Sequence, residues 1–247
     1  MTATYPTQQE AALVAAAEKL MVETMARYDP SHDAYHDSPR IQRRPVQRVR
    51  KTALQLARTV SVGLPEDRQP DLLTIELAAL LHDVLDKKYV SAEQAADPYA
   101  YFVPFFEKAA SESGLDLVED GRARIIARII DNVSWTTEKK RLAAGQIENW
   151  HTQCVELHCV QDADRLDAIG AFGILRCAAF SAATNRSLHV SKNDSTYDAT
   201  AIGHFYDKLL HIRERLKTEP GKKLAEKRHQ LMLDFLHAVD EEYDVQA

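Results

Sequence analysis

Apolar residues recur along this chain with the spacing of an α-helix, and almost no segment alternates with the period of two that a β-strand requires. The pattern first appears at residues 8–27. That helix should end at Tyr28-Asp29-Pro30, because the residue before a proline is pushed out of the helical conformation. Similar segments follow almost to the C-terminus, joined by polar loops such as NRSLHVSKNDSTYD at 185–198. The pattern predicts an all-α fold.

The 247 residues suffice for one substantial hydrophobic core, and no repeat, low-complexity tract or linker divides them. We therefore expect a single domain over residues 1–247, with its core at about 20–240. Three cysteines without CxxC spacing fit reduced thiols in a cytoplasmic protein better than a disulfide framework. No run of 18 apolar residues occurs, so no membrane partner is expected. The net charge of −6 argues against a nucleic acid polymer as partner. The oligomeric state is left open, with a homodimer among the expected forms.

The stretch LAALLHDVLDKKY at 77–89 places charged residues at the end of an otherwise apolar helix. His82 and Asp83 come first, followed by Asp86 and the lysine pair Lys87-Lys88. Adjacent residues on a helix point about 100° apart. His82 and Asp83 can therefore share a metal ion only if the ion lies beside the helix and other segments supply further ligands.

Two further segments carry histidine and acid clusters of the same kind, SHDAYH at 31–36 and VQDADRLDAIGAFGIL at 160–175. Burying an unpaired carboxylate is costly, so acids set into a core helix call for a cation or a specific partner. A lone His-Asp dipeptide usually has a structural role, but three such clusters in one chain favour a metal site.

The order of these clusters, His, then His-Asp, then a distant Asp, resembles the HD-domain superfamily of metal-dependent phosphohydrolases. Six strings are similar, in order over roughly residues 20–240, to its single-domain subgroup that acts on nucleotides: SHDAYH, RVRKTAL, LAALLHDVLDKKY, VQDADRLDAIGAFGI, HFYDKLL and KKLAEKRHQLMLDFL. The resemblance implies an all-α HD domain whose central cleft binds one divalent ion. Mn²⁺ is the first expectation, with Fe²⁺, Ni²⁺, Zn²⁺, Co²⁺ and Mg²⁺ as alternatives.

Carried over motif by motif, the resemblance assigns the metal ligands to His36, His82, Asp83 and Asp164. The last ligand is the acid of an A-D-R-L string, which is Asp164 here, and Asp162 is a close competitor. Imidazole and carboxylate ligands suit these metals, and four protein ligands leave positions for water and a phosphate oxygen. Asp33 is available to accept a hydrogen bond from the other nitrogen of a ligating histidine.

Asp86 follows Asp83 by three residues and His82 by four, which on a continued helix would place all three on one side. It is a candidate general acid or base, and the alternative is a helix-terminal charge paired with Lys87 or Lys88. The resemblance favours the catalytic role and assigns Lys88 to the substrate phosphate.

Two further cations, Lys87 and Arg48, are weaker candidates for substrate binding, since charges on a helix surface are more often merely solvated. His151 and His158 are seven residues apart and could share one helix face. They could belong to a second metal site, but an ordinary surface location is the favoured interpretation.

The segment DSPRIQRRP at 37–45 departs from the family pattern, in which a helix containing RVRKTAL follows the first ligand almost at once. The insert is polar and holds two prolines, so we expect a surface excursion, with Pro45 in the first turn of a helix that runs to about Val62. If residues 37–45 instead belong to the core, His32 becomes a candidate for the first ligand.

Together these features predict a phosphohydrolase that hydrolyses nucleotides or deoxynucleotides by attack of a metal-activated water. Two alternatives stay open. One is a metal-binding HD protein with a regulatory role, and the other is a hydrolase acting on a non-nucleotide metabolite.

Overall fold

In the computed structural model of the chain, residues 5–26 and 39–243 are described, with the backbone alone for 39–44. Twelve α-helices occupy these ranges and no β-strand occurs in them, which confirms the predicted all-α fold. In chain order they are α1 Gln8–Met25, α2 Pro39–Ser61, α3 Leu72–Leu81, α4 Ala92–Ala95, α5 Pro98–Ser113, α6 Arg122–Asn132, α7 Trp135–Ala143, α8 Asn149–Gln153, α9 Val155–Asp167, α10 Gly170–Ala183, α11 Ala201–Asp207 and α12 Glu219–Tyr243.

Helix α3 lies at the centre of the packing and contacts α1, α2, α6 and α9. Every residue from Leu73 to Leu81 is buried, as expected of a helix that is apolar on all sides. The one acid within it, Glu76, is paired with Arg50 and accepts a hydrogen bond from the Tyr5 hydroxyl. Buried apolar side chains form a continuous cluster from α1 to α12 around this helix.

The sequence predicts a helix capped by Asp71 or Thr74 that runs to about Leu85. Asp71 is the cap of α3, since its carboxylate accepts hydrogen bonds from the backbone N–H groups of Leu73 and Thr74. The helix ends earlier than predicted, at Leu81. Residues 82–90 form consecutive turns, in which the Asp86 N–H donates to the Asp83 carbonyl. The expectation that helical spacing places Asp86 beside Asp83 was therefore wrong.

Helical spacing predicts one helix near 163–184, whereas the structure has two helices in this region, α9 and α10. The chain bends by 58° between them. Gly170 has φ +76°, and a Cβ at that position would meet the Arg228 side chain at 2.9 Å. Across the described residues no individual helix has the length and apolar character needed to cross a membrane, and only the bent pair α9–α10 meets both conditions jointly.

Residues 37–38 of the predicted insert at 37–45 lie outside the described residues, and its location at the surface stays a prediction. From Pro39 onward the backbone is already helical, and Pro45 lies inside α2 instead of in its first turn. Arginine and glutamine dominate residues 40–44, and these residues have good helix propensity. Pro39 also suits the first helical position, because its missing N–H would have no partner there. These local preferences outweigh the one backbone hydrogen bond that an internal Pro45 removes.

Replacing Pro45 with alanine tests this continuity of α2. If the helix starts at Pro39, Pro45→Ala restores a backbone hydrogen bond, and the free energy of unfolding should rise by about 1–3 kcal/mol. Pro39→Ala is the matched control and should be neutral or slightly destabilising. Urea denaturation of the three proteins measures the differences. A helix that began at Pro45 would instead lose stability, or keep it unchanged, in Pro45→Ala.

Candidate functional site

A polar pocket of about 440 Å³ opens where α3 and α9 end and α7 begins. The segment Lys208–Arg215, most of which is a 3₁₀ helix, forms another part of its wall. The pocket is lined by the acids Asp83, Asp86, Asp131 and Asp164, by the cations Arg165, Arg176, Lys208 and Arg215, by His82, Ser134, Trp135, Thr136 and Thr137, and by apolar side chains such as Leu85 and Ile212.

His82 follows the last residue of α3, and its imidazole is 5% exposed. Its Nδ1 lies 2.8 Å from the Ala79 carbonyl oxygen, which can only accept a hydrogen bond. In the neutral ring Nδ1 therefore carries the proton, and Nε2 presents a lone pair. That lone pair faces two carboxylates, because Nε2 lies 3.3 Å from Asp83 Oδ1 and 3.9 Å from Asp164 Oδ1.

Three acceptor groups in mutual contact need a positive charge between them, which either a proton or a metal ion can provide. Burial by itself lowers the pKa of His82, but the charges of Asp83 and Asp164 outweigh it and raise the pKa overall. Burial raises the pKa of Asp164, and Asp83 raises it further while His82 opposes the change. The negative charge of Asp83 contributes to both increases in pKa, although burial is the larger cause for Asp164.

One imidazole and two carboxylates form a donor set that suits the divalent metals expected from the sequence. The donor atoms of His82, Asp83 and Asp164 thus suit a metal ion, and the three groups together need the positive charge that such an ion would supply. Over residues 5–26 and 45–243, no three His, Cys, Asp or Glu side chains are arranged closely enough to hold an ion by themselves. The predicted ligand His36, its predicted partner Asp33 and the alternative ligand His32 all lie outside the described residues.

The two candidate acids of α9 occupy different environments. Asp164 lines the pocket, whereas Asp162 is fully buried and accepts hydrogen bonds from the backbone N–H groups of Lys217 and Thr218, both at 2.8 Å. The Thr218 hydroxyl donates to it as well, at 2.7 Å. Asp162 therefore anchors the segment that precedes α12, and its position favours Asp164 as the ligand.

The other predicted site residues are divided between the pocket and the surface. Asp86 lines the pocket, and its Oδ1 accepts a hydrogen bond from the backbone N–H of Lys88 at 2.9 Å. Lys87 and Lys88 are exposed and are not among the lining residues. Arg48 makes a two-pronged ion pair with Asp167, at 2.6 and 3.0 Å, and stacks over Phe172. These positions lend no support to substrate binding by Arg48 or Lys87, which stays a prediction.

Among the pocket residues that were not singled out from the sequence are Trp135, Lys208 and Arg215. The Arg215 guanidinium lies over the Trp135 ring, 4.3 Å from its centroid. Neither Lys208 nor Arg215 forms an ion pair with a described carboxylate. The one available signal was that Lys208 falls within the family-like string HFYDKLL.

The histidines His151 and His158 lie away from this pocket and on different helices, α8 and α9, so they do not share one helix face. They line a second cavity of about 340 Å³. His151 Nδ1 accepts from the Glu148 N–H, and its Nε2 lies 3.2 Å from Asn132 Oδ1. His158 Nε2 lies 2.9 Å from the His151 carbonyl oxygen. These hydrogen bonds give both histidines structural roles and leave no reason to assign them a metal.

Similar proteins are found by sequence and by structure, although no family model matches the chain. The uncharacterized protein YpgQ of Bacillus subtilis (strain 168) is 30% identical over 177 residues, which is 72% of this chain and 76% of YpgQ. The crystal structure of YpgQ in complex with ADP is similar with a TM-score of 0.60 and 25% identity, covering 92% of this chain and 98% of that one.

Two further crystal structures extend the comparison. The Lin1889 protein from Listeria innocua has a TM-score of 0.63 and 28% identity, over 96% of this chain and 99% of its own. An HD-superfamily hydrolase from Bacillus thuringiensis has a TM-score of 0.61 and 24% identity, over 93% of this chain and 100% of its own. At that identity the last comparison shows a shared fold.

The two acids of α9 permit a matched test of the metal site. Asp164→Asn removes a charged ligand from the pocket, so metal affinity should fall by roughly tenfold or more, with folding retained. Asp162→Asn makes the same chemical change two residues away and turns an amide toward backbone donors. It should therefore lower the free energy of unfolding by about 1–3 kcal/mol with metal affinity kept. Metal titration and denaturant unfolding measure the two effects, and the reverse pattern would make Asp162 the ligand.

Proposed function

This chain belongs to the HD-domain superfamily of metal-dependent phosphohydrolases, and from that premise we propose that it hydrolyses nucleotides or deoxynucleotides in the pocket formed by α3, α7 and α9. The observation that carries the proposal is the distribution of charge in this pocket. Acids collect around His82, while Lys208 and Arg215 bring positive charge that is not held in an ion pair with any described carboxylate. A phosphorylated substrate needs both features, a place for a metal ion and a cationic surface for phosphate oxygens.

We assign the metal ligands to His82, Asp83 and Asp164, with His36 as the predicted fourth. A divalent ion held by them supplies a Lewis acid that acidifies water and draws charge from a phosphate oxygen. The Ala79 carbonyl fixes the tautomer of His82, so its Nε2 is kept as a donor atom toward the pocket. Mn²⁺ is our first choice of ion.

Asp86 is proposed as the base that takes the proton from the attacking water. Its carboxylate lines the pocket and is exposed enough to exchange a proton with solvent after each turnover. The Lys88 N–H holds one oxygen of this carboxylate at 2.9 Å, which orients the other. The backbone of Lys88 thus orients a pocket residue, and we retain its ammonium group as a proposed phosphate contact.

Lys208 and Arg215, which both line the pocket, are proposed to bind phosphate oxygens. Arg215 offers a planar fork of N–H groups, and Lys208 offers a mobile point charge. The N-terminus of α7 adds positive potential on the same wall, with Ser134 as its cap and the hydroxyl groups of Thr136 and Thr137 nearby. This concentration of donors favours a substrate with more than one phosphate group.

Two features support a nucleotide as the molecule that carries those phosphates. The pocket contains apolar and aromatic surface, including Trp135 and Ile212, against which a base or sugar can pack. The related protein YpgQ has been crystallised in complex with ADP. The pocket is also large enough, at about 440 Å³, for a ligand of that size.

A turnover screen tests the proposed function directly. Protein reconstituted with Mn²⁺ is incubated with nucleoside mono-, di- and triphosphates, their deoxy forms, and a set of non-nucleotide phosphate esters. Hydrolysis should be detected on nucleotides, and Arg215→Ala should raise KM most for the most highly phosphorylated substrate. Turnover confined to the non-nucleotide esters would show that the proposed substrate class is wrong. Metal binding without any turnover would favour a regulatory role.

The base assignment is tested by Asp86→Asn, which keeps the volume of the side chain and removes its ability to accept a proton. Turnover should fall on the order of 100-fold or more with metal content kept. Elemental analysis and steady-state kinetics on the same preparation separate the two quantities. Unchanged turnover would show that Asp86 is not the base and is only an exposed charge in the turns that follow α3.

A further inference from the structure

Behind the cationic wall of the pocket, one buried acid holds two buried or half-buried cations. Glu138, in the first turns of α7, is 8% exposed. Its Oε1 accepts a hydrogen bond from Lys217 Nζ at 2.5 Å, and its Oε2 is paired with Arg165, which is 4% exposed. Gln161 also donates to Oε2 at 3.3 Å. Burial raises the pKa of Glu138, but Lys217 and Arg165 lower it overall, so the group stays a carboxylate.

Both partners of Glu138 act on the segment that carries Arg215. Arg165 Nη1 donates to the Arg215 carbonyl oxygen, and Lys217 is two residues further along the chain. On the other side, the Arg215 guanidinium rests on Trp135, which lies three residues before Glu138 in α7. Glu138 is thus connected to Arg215 from two directions, through the backbone of its segment and through the ring beneath its side chain.

The charges in this region make Glu138 more than a structural partner. Arg165, Lys217 and Arg215 bring three positive charges close together, and the nearby charge of Arg165, after burial, lowers the pKa of Arg215. Without a shared carboxylate these cations repel one another. Arg215 lies at the end of a 3₁₀ helix and has no ion pair with a described carboxylate, so its side chain is the least restrained of the three. A cation that has left the wall no longer meets the substrate phosphate.

We propose that Glu138 is a positioning residue that holds Arg215 against Trp135 in the orientation in which it binds substrate phosphate. This inference rests on the proposed function of the pocket and adds a residue that does not line it. It also predicts the direction in which a substitution at Glu138 changes the affinity for phosphate. Removing a negative charge near a phosphate site should tighten binding if only net charge matters, whereas loss of positioning should weaken it.

Glu138→Gln keeps the shape of the side chain and removes its charge, so it separates the two effects. We expect the Kd for inorganic tripolyphosphate and the KM for the best nucleotide to rise on the order of tenfold, with kcat changed less. A change of that size corresponds to the loss of about one charge-assisted contact. The matched control is Glu226→Gln, which removes one acid from the exposed ion pair with Arg213 and should leave both constants unchanged. An unchanged or lower Kd in Glu138→Gln overturns the proposal.

A double-substitution cycle with Arg215→Ala tests whether the effect passes through Arg215. If it does, Glu138→Gln should have little further effect once Arg215 is alanine. Additive losses would show that Glu138 acts elsewhere and would overturn the proposal.

Glu138→Asp extends the test if the uncharged variant folds poorly. It keeps the charge and shortens the arm, so positioning predicts weaker tripolyphosphate binding, whereas an effect of net charge alone predicts none. Wild-type protein that neither binds tripolyphosphate nor hydrolyses nucleotides would contradict the proposed function itself. Wild-type binding without coupling between Glu138 and Arg215 would contradict this inference alone.

Discussion

The hydrogen bond between His82 Nδ1 and the Ala79 carbonyl joins the core of the molecule to its pocket. The last carbonyl groups of a helix have no partner within the helix, and the residues that carry those of α3 are buried. His82 satisfies one of them with its ring, and the same hydrogen bond turns Nε2 toward Asp83 and Asp164. The burial of α3 thus decides both which histidine nitrogen is free and which acids it faces.

The pocket divides its charges between separate parts of the chain. Its acids lie near the ends of α3, α6 and α9, and the cations that pair with no described carboxylate are Lys208 and Arg215, which precede α12. Buried acids outside the pocket hold this arrangement together, since Asp162 anchors the segment before α12 and Glu138 binds Arg165 and Lys217. Acids in one helix therefore have opposite uses, because Asp162 faces backbone donors and Asp164 faces the pocket.

Much of this arrangement could be predicted from the sequence, and the errors share one cause. Helical periodicity and the Asp71 cap gave the correct class of fold and the correct start of α3. Three predictions were wrong: the end of α3, an unbroken helix across Gly170, and a helix that begins only at Pro45. Each of these features depends on contacts with a neighbouring segment. Arg48 is a clear case at the site. Its sequence context suits a phosphate contact, but Asp167, distant in sequence, occupies its guanidinium.

By itself the sequence determined which residue types can hold a metal and where they lie along the chain, because a charge in an apolar helix is visible in one dimension. It also determined the family, through strings too specific to occur together by chance. Only the tertiary structure decided which charges meet. Three contacts join residues that are far apart in the sequence: His82 with Asp164, Arg215 with Trp135, and Glu138 with Arg165. Periodicity reports the environment of a side chain but not the identity of its partner, and the partner decides whether a charge anchors the fold or remains available to a substrate.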